Sequence, residues 1–185
     1  DDIDEIIPQL EEILKGNGFF TKGPKVKEFE KLFSEYIGSK YGVAVNSCTS
    51  ALEIVLKAIG ISDGDEVVVP TQTFVSTASC VVNNGGTPIF CEIGHNHLID
   101  YDDLKAKISD NTKAVIIVHF GGLIHPDIWE IKKYLKERNI YLIEDAAHAH
   151  GAKIDNIFAG NIGDFGCFSF YSTKIMTTGG EGGFI

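Results

Sequence analysis

Apolar positions along this 185-residue chain follow two alternating rhythms: short continuous runs rich in Val and Ile, and longer stretches in which apolar residues recur three or four apart. Val26, Phe29, Leu32, Phe33, Tyr36 and Ile37 have helical spacing, and Gly38 follows as a stop, so an amphipathic helix is predicted over 25–37. Gly42 to Asn46 reads as a short buried strand. Ser50 with Glu53 three residues on matches a capping box, and Ala51, Leu52, Val55, Leu56 and Ile59 form one stripe that ends at Gly60, which predicts a second helix. The runs 66–70, 87–91, 113–118 and 140–144 predict further strands, and helical stretches over 72–83, 101–108 and 126–138 separate them. Apolar strands alternating with helices argue for an α/β fold, a mostly parallel sheet covered on both faces. No repeat, low-complexity segment or linker interrupts this pattern. The chain opens without Met, and Gly182 to Ile185 reads as the beginning of a strand, so the expectation is a piece of a longer protein.

Composition narrows the possible partners. A hydrophobic content of 44% with 23% charged residues suits a globular fold. The net charge of −10 supplies no basic stripe for a nucleic-acid backbone. Cys48, Cys80, Cys91 and Cys167 show neither a CxxC nor a zinc-ligand spacing, which points to a reducing compartment. No apolar run is long enough to span a bilayer, and the acidic start has no signal-peptide character; the expected location is cytoplasmic.

In sheets of this kind ligands collect beyond the carboxyl ends of the strands, and the chemical motifs fall there. Asn46 to Ser50 follows a strand and opens a helix, so its amides and hydroxyls can hold a phosphate or serve simply as caps. Phe74, after the strand ending at Pro70, can stack on a flat ligand or fill the core. Asp145 ends an apolar strand, where a carboxylate needs exposure or a partner. Lys174 lies between Ser169 and the glycine-rich stretch 179–183. A lysine amine forms a Schiff base with an aldehyde, and a carboxylate keeps a pyridine nitrogen protonated; this pairing is the logic of pyridoxal-phosphate chemistry. The competing reading of Lys174 alone is a solvated surface charge. A metal site built from Asp145, His148 and His150, with His119 and His125 elsewhere, fits no common zinc spacing and leaves the lysine motif unexplained. The glycine stretch lacks the patterns of nucleotide loops.

Along almost its whole length the chain resembles the N-terminal half of the DegT/DnrJ/EryC1/StrS family of pyridoxal-phosphate-dependent sugar aminotransferases. The likeness runs through Thr21 to Glu30, Asn46 to Leu52, Gly64 to Pro70, Thr73 to Ala78, Glu144 to Ala147 and Ser169 to Gly183. It implies the large domain of a fold-type I transferase over 25–185, preceded by an N-terminal helix and active-site loop over 1–24, with the C-terminal small domain absent from this chain. It implies pyridoxal 5'-phosphate as cofactor, an amino acid donor such as glutamate, a nucleotide-linked keto sugar as acceptor, and a homodimer with its sites at the subunit interface. Position by position, Lys174 resembles the Schiff-base lysine, Asp145 the partner of the pyridine nitrogen and Phe74 the stacking aromatic. Thr49 and Ser50 match the phosphate loop and Ser169 the phosphate-binding serine. His148 stands where a glutamine commonly contacts the cofactor, and its charge would vary with pH. Cys48 replaces the usual glycine of the phosphate loop, and the stretch 119–126 departs from the family pattern after its histidine and glycine. Retention of Lys174 and Asp145 argues against a non-catalytic regulator on the same fold, and Lys174 also argues against the family's dehydratases, which carry histidine there.

Overall fold

The computed structural model describes residues 3–16 and 21–185; residues 17–20, within the expected active-site loop, lie outside the described residues. In chain order the elements are α1 (Ile3–Lys15), α2 (Pro24–Ile37), β1 (Ala44–Val45), α3 (Cys48–Ala58), β2 (Glu66–Pro70), α4 (Ser76–Asn83), β3 (Thr87–Cys91) and α5 (Tyr101–Lys107). There follow β4 (Thr112–Val118), α6 (Ile128–Lys136), β5 (Tyr141–Asp145), the small hairpin β6 (Lys153–Ile154) and β7 (Ile157–Phe158), β8 (Phe165–Ser169) and β9 (Gly183–Phe184).

Seven strands form one sheet in the order β1-β9-β8-β5-β4-β2-β3. The pairs β2–β3, β2–β4, β4–β5 and β5–β8 are parallel, whereas β9 runs antiparallel to both β8 and β1. Alternation along the strands explains why both faces are covered. Val67, Val69, Ala114, Ile116 and Ile143 pack with Ala51, Leu52, Val55 and Leu56 of α3 and Cys80 and Val81 of α4. Their neighbours Val68, Val115, Ile117 and Leu142 pack on the opposite face with Leu104 of α5 and Ile128, Ile131 and Leu135 of α6. A strand buried on both faces has no solvent side to keep polar, hence the unbroken apolar runs.

A third cluster attaches α2. Phe33 meets the rings of Phe168, Phe170 and Phe184 edge-on, with centroids 5.0, 5.2 and 4.8 Å away. Edge-to-face pairs of this kind add about 0.5–1.5 kcal/mol each beyond the area they bury. Pro24 starts α2, and Gly38, at φ 77°, ends it by donating its N–H to Ser34.

The structure departs from the sequence reading at several places. The cap of α3 is Ser47, which accepts the Ser50 N–H, so the cap lies one turn before the expected Ser50–Glu53 box. The expected helix over 72–83 begins only at Ser76, which leaves Thr73 and Phe74 in the preceding loop. β6, β7, β8 and β9 were not predicted, apart from the strand-like start at Gly182. None among the described helices is long and apolar enough to cross a membrane.

Candidate functional site

Four parallel strands stop at a common edge, and the loops that leave them wall a cavity of about 390 Å³ with the first turns of α3 and α4. β2 leads to Thr73 and Phe74, β4 to Phe120, β5 to Asp145 and His148, and β8 to Ser169 and Lys174. Of the residues singled out in the sequence, Thr49, Phe74, Asp145, His148, Ser169 and Lys174 line this cavity. Ser50 is not part of the lining; its hydroxyl accepts from the Ser47 hydroxyl at 3.2 Å on α3. Phe74 is 73% exposed, so the core alternative fails and its ring face stands open at the cavity.

Lys174 sits on the excursion between β8 and β9. Phe170 accepts from Thr178 and donates to Gly182, and Ser172 donates to Gly180, so this segment is tied at its base. Gly183 at its far end passes so close to α3 that a Cβ there would lie 2.3 Å from the Ser47 carbonyl carbon; only glycine allows that approach. The Lys174 amine is 2.9 Å from His148 Nε2. An ammonium has donors only, so His148 accepts and carries no proton on Nε2. Burial, then the charge of Lys174, lowers the His148 pKa below the usual imidazole value, while Asp145 opposes the shift. Histidine's expected titration is therefore displaced to the acid side.

Asp145 is only 6% exposed and is satisfied by hydrogen bonds rather than by a cation. Its Oδ1 accepts from the Ala147 N–H at 3.2 Å and from the Cys48 thiol at 3.7 Å, and its Oδ2 accepts from the Thr77 hydroxyl at 3.1 Å. Thr77 in turn lies 2.7 Å from the Thr73 hydroxyl. Cys48 keeps its proton: burial first, and then Asp145, pushes its pKa well up.

The starts of α3 and α4 converge at the cavity wall, where the Thr49 and Ser76 hydroxyls are 2.8 Å apart. The first amides of a helix have no partner within it and carry the positive end of its dipole, which suits an anion. Among the described residues, Lys174 is the one ammonium or guanidinium that lines the cavity.

Sequence reasoning passed over Glu144, the centre of a buried network below the cavity. Its Oε1 accepts from the N–H groups of Ile162 and Gly163 at 2.7 and 2.6 Å. Its Oε2 accepts from Gly160 N–H at 2.8 Å and from His119 Nε2 at 2.7 Å. His119 completes the arrangement by donating its backbone N–H to the Asp145 carbonyl. The available signal was a pair of adjacent acids ending an apolar strand, since successive residues there face opposite ways. Thr77, Phe120 and Glu181 were likewise not singled out. His150 lies against Phe168 and Phe170, and neither His119 nor His125 lines the cavity; no three ligating side chains come together around a metal position among the described residues.

Residues 1–185 match the DegT/DnrJ/EryC1/StrS aminotransferase family. The chain belongs to that family. It is 45% identical to the spore coat polysaccharide biosynthesis protein SpsC of Bacillus subtilis over 98% of this chain and 46% of that protein. It is 38% identical to GDP-perosamine synthase of Escherichia coli O157:H7, over 95% of this chain and 48% of the synthase. The Streptococcus pneumoniae protein Spr1654, solved in a PLP form, superposes with a TM-score of 0.89 at 32% identity, over 96% of this chain and 49% of that one. The chain spans about half the length of the curated relatives it matches. Within the family, the mostly parallel sheet between helices corresponds to the large domain of a fold-type I transferase.

Proposed function

We propose that this chain carries the cofactor-binding part of a pyridoxal-phosphate-dependent aminotransferase that moves an amino group from an amino acid, glutamate in our reading, to a nucleotide-linked keto sugar. The observation that carries the proposal is the Lys174 amine and the Asp145 carboxylate on the walls of one cavity at the sheet's carboxyl edge. Its volume, about 390 Å³, lies in the range of small-molecule sites, and the donor set fits the cofactor. Lys174 would hold the aldehyde carbon, Asp145 the ring nitrogen and Phe74 the ring face, while Thr49, Ser169 and the first turn of α3 would bind the phosphate. Ser50, which is absent from the cavity lining, would serve that loop from behind. When bound, the cofactor supplies an exchangeable aldehyde and an electron-withdrawing ring.

The chain's own residues do the rest. Lys174, as a free amine, would take the proton from the donor's α-carbon and then return it as an acid; a positioned group of this sort contributes about 10²–10⁴-fold. His148, neutral and accepting from Nζ, aligns that amine without repelling it. The relatives' roles in spore coat polysaccharide biosynthesis and as a GDP-perosamine synthase support a sugar acceptor. A homodimer is supported by α1, which buries no residue and leaves Ile3, Ile6, Ile7, Leu10 and Leu14 exposed, a face suited to a second copy. The acidic balance of the chain agrees with small-molecule substrates in the cytoplasm rather than nucleic acid or a membrane.

The test uses the full-length protein loaded with pyridoxal phosphate, reduced with borohydride, digested and mapped. A tag on Lys174, lost in Lys174→Ala, is expected together with amino transfer from glutamate to a member of a nucleotide-linked keto sugar panel. A tag on Lys153 or Lys113 would overturn the assignment. A tag on Lys174 without transfer to any keto sugar would favour a regulator that retains the cofactor.

A further inference from the structure

We infer that Thr77 is a positioning residue for Asp145, and that it sets the position and basicity of the one carboxylate oxygen, Oδ2, that meets the cofactor's ring nitrogen. This rests on the proposed cofactor chemistry. A carboxylate offers about four lone-pair positions, two on each oxygen. Ala147 N–H and the Cys48 thiol take both on Oδ1, and Thr77 takes one on Oδ2. The remaining acceptor position is therefore on Oδ2, beside the Thr77 hydroxyl.

Hydrogen direction follows from the same count. An ionised carboxylate only accepts, so the Thr77 proton points to Asp145, and the 2.7 Å contact with Thr73 must then be filled by the Thr73 proton. The chain runs Thr73 to Thr77 to Asp145. Thr77 is wholly buried, so its hydroxyl has no water to turn to, and Thr73 stands at the cavity wall. Thr73 comes from the short stretch that joins β2 to α4, and Thr77 lies in the first turn of α4, held by its N–H to the Phe74 carbonyl. The loop that presents the Phe74 ring is thus the loop that orients Asp145.

The consequence is electrostatic. A hydrogen bond donated to a carboxylate stabilises its charged form and makes it a weaker base. Without the Thr77 hydroxyl, Oδ2 would draw the ring proton toward itself, the ring would carry less positive charge, and the Lys174-linked nitrogen would hold its own proton to higher pH.

The test compares Thr77→Val, Thr77→Ser and Thr73→Val with the wild type as full-length, cofactor-loaded proteins. Three quantities are read: the dissociation constant for pyridoxal phosphate, kcat, and the pH midpoint of the visible absorption of the lysine-bound cofactor. Thr77→Val should lower kcat roughly ten- to a hundred-fold, the usual cost of one bond to a charged group. Its absorption midpoint should rise by roughly half a pH unit or more. The dissociation constant should change by much less than kcat. Thr77→Ser, which keeps the hydroxyl, should restore the midpoint, and Thr73→Val should shift it part of the way because Thr77 loses its own donor.

A Thr77→Val midpoint superimposable on wild type, with the borohydride tag still on Lys174, would overturn this inference alone. A wild type with no visible band and no tag would overturn it together with the cofactor assignment. If Thr77→Val does not fold, Thr73→Val decides: a wild-type midpoint there refutes the chain of hydroxyls.

Discussion

Glu144→Gln tests the network beneath the cavity more sharply than truncation does, because it changes one oxygen to an amide at constant size. In the native protein the four donors around Glu144 are the N–H groups of Gly160, Ile162 and Gly163 and the His119 Nε2, and the side chain is wholly buried. A glutamine has one acceptor oxygen. If the amide nitrogen faced Ile162 and Gly163, it would oppose two backbone N–H groups that have nowhere to turn. Facing His119 and Gly160, it opposes one, since the imidazole can move its hydrogen to the other ring nitrogen and accept. The second orientation therefore wins. Orphaning the Gly160 N–H costs about 1–3 kcal/mol, and the two bonds kept at the oxygen fall from charge-assisted to neutral strength, roughly another 1 kcal/mol each. A total loss of about 3–5 kcal/mol is a large share of the 5–15 kcal/mol that holds an ordinary domain together. Gly160 is poorly placed to relax, because at φ 87° its Cα faces the Phe168 ring, where a Cβ would come within 2.2 Å. Urea unfolding of the full-length apoprotein reads the loss, and nitrogen-15 spectra of His119 read the tautomer, Nε2–H in the wild type and Nδ1–H in the variant. A loss below about 1 kcal/mol, or an unchanged tautomer, would refute the reasoning.

Asp145→Ala should depress turnover far more than cofactor affinity, because its charge matters most as negative charge develops in the ring; near-native turnover would show the electron sink misplaced. His148→Gln should keep activity, and because the histidine pKa is already lowered by burial and by Lys174, the two rate profiles should coincide above about pH 6.5 and part only on the acid side. Burial also lowers the pKa of His125 and of His150, so the unfolded chain binds protons at these sites that the folded chain refuses. Their stabilising contribution is whole above about pH 6.5 and is lost as pH falls toward the lowered folded values; His150→Phe should flatten this acid loss in thermal melts. His150 also has neither ring nitrogen bonded, so that variant should be no less stable at neutral pH. Phe33→Ala, which removes the ring at the centre of the aromatic cluster holding α2, should cost about 3–5 kcal/mol in urea unfolding, and a cost under about 1 kcal/mol would mean that α2 is held elsewhere.

The central parallel strands were legible because Val67 to Val69 and Ala114 to Ile117 must be apolar on both faces, and that leaves a continuous run in the sequence. β8 was not, because Phe165, Gly166, Cys167, Phe168 and Ser169 mix a glycine and a serine into the strand: a Cβ at Gly166 would strike the Gly160 backbone, and Ser169 faces the cavity. The helix over 72–83 was placed too early because Thr73 and Phe74 carry no signal that distinguishes a loop from a first turn; both are tied to Thr77, through the Thr73 hydroxyl and the Phe74 carbonyl, and Thr77 is anchored on Asp145, more than sixty residues away. Lys174, Asp145 and Phe74 were visible because their chemistry is unusual for their positions. Glu144 and Thr77 work from behind them, through hydrogen bonds to backbone and carboxylate, and an acid or a threonine in isolation advertises no such role.

The convergence of α3 and α4 bears on how the proposed phosphate site would recognise an anion. The chain has a single arginine, Arg138, which donates to the Tyr134 carbonyl on α6, and among the described residues Lys174 alone brings an ammonium to the cavity. The part of an anion site that Thr49, Ser76 and Ser169 would build therefore would work with hydroxyls and peptide dipoles, which act over a few ångströms and must be met by oxygens in the right directions. Such a cradle discriminates by the number and angles of a ligand's oxygens more than by its charge. It is also less exposed to ionic screening than a lysine cluster, whose attraction fades over a Debye length of about 8 Å at physiological salt. A phosphate ester that met the Thr49, Ser76 and Ser169 hydroxyls would therefore be held by the directions of its oxygens rather than by bulk charge.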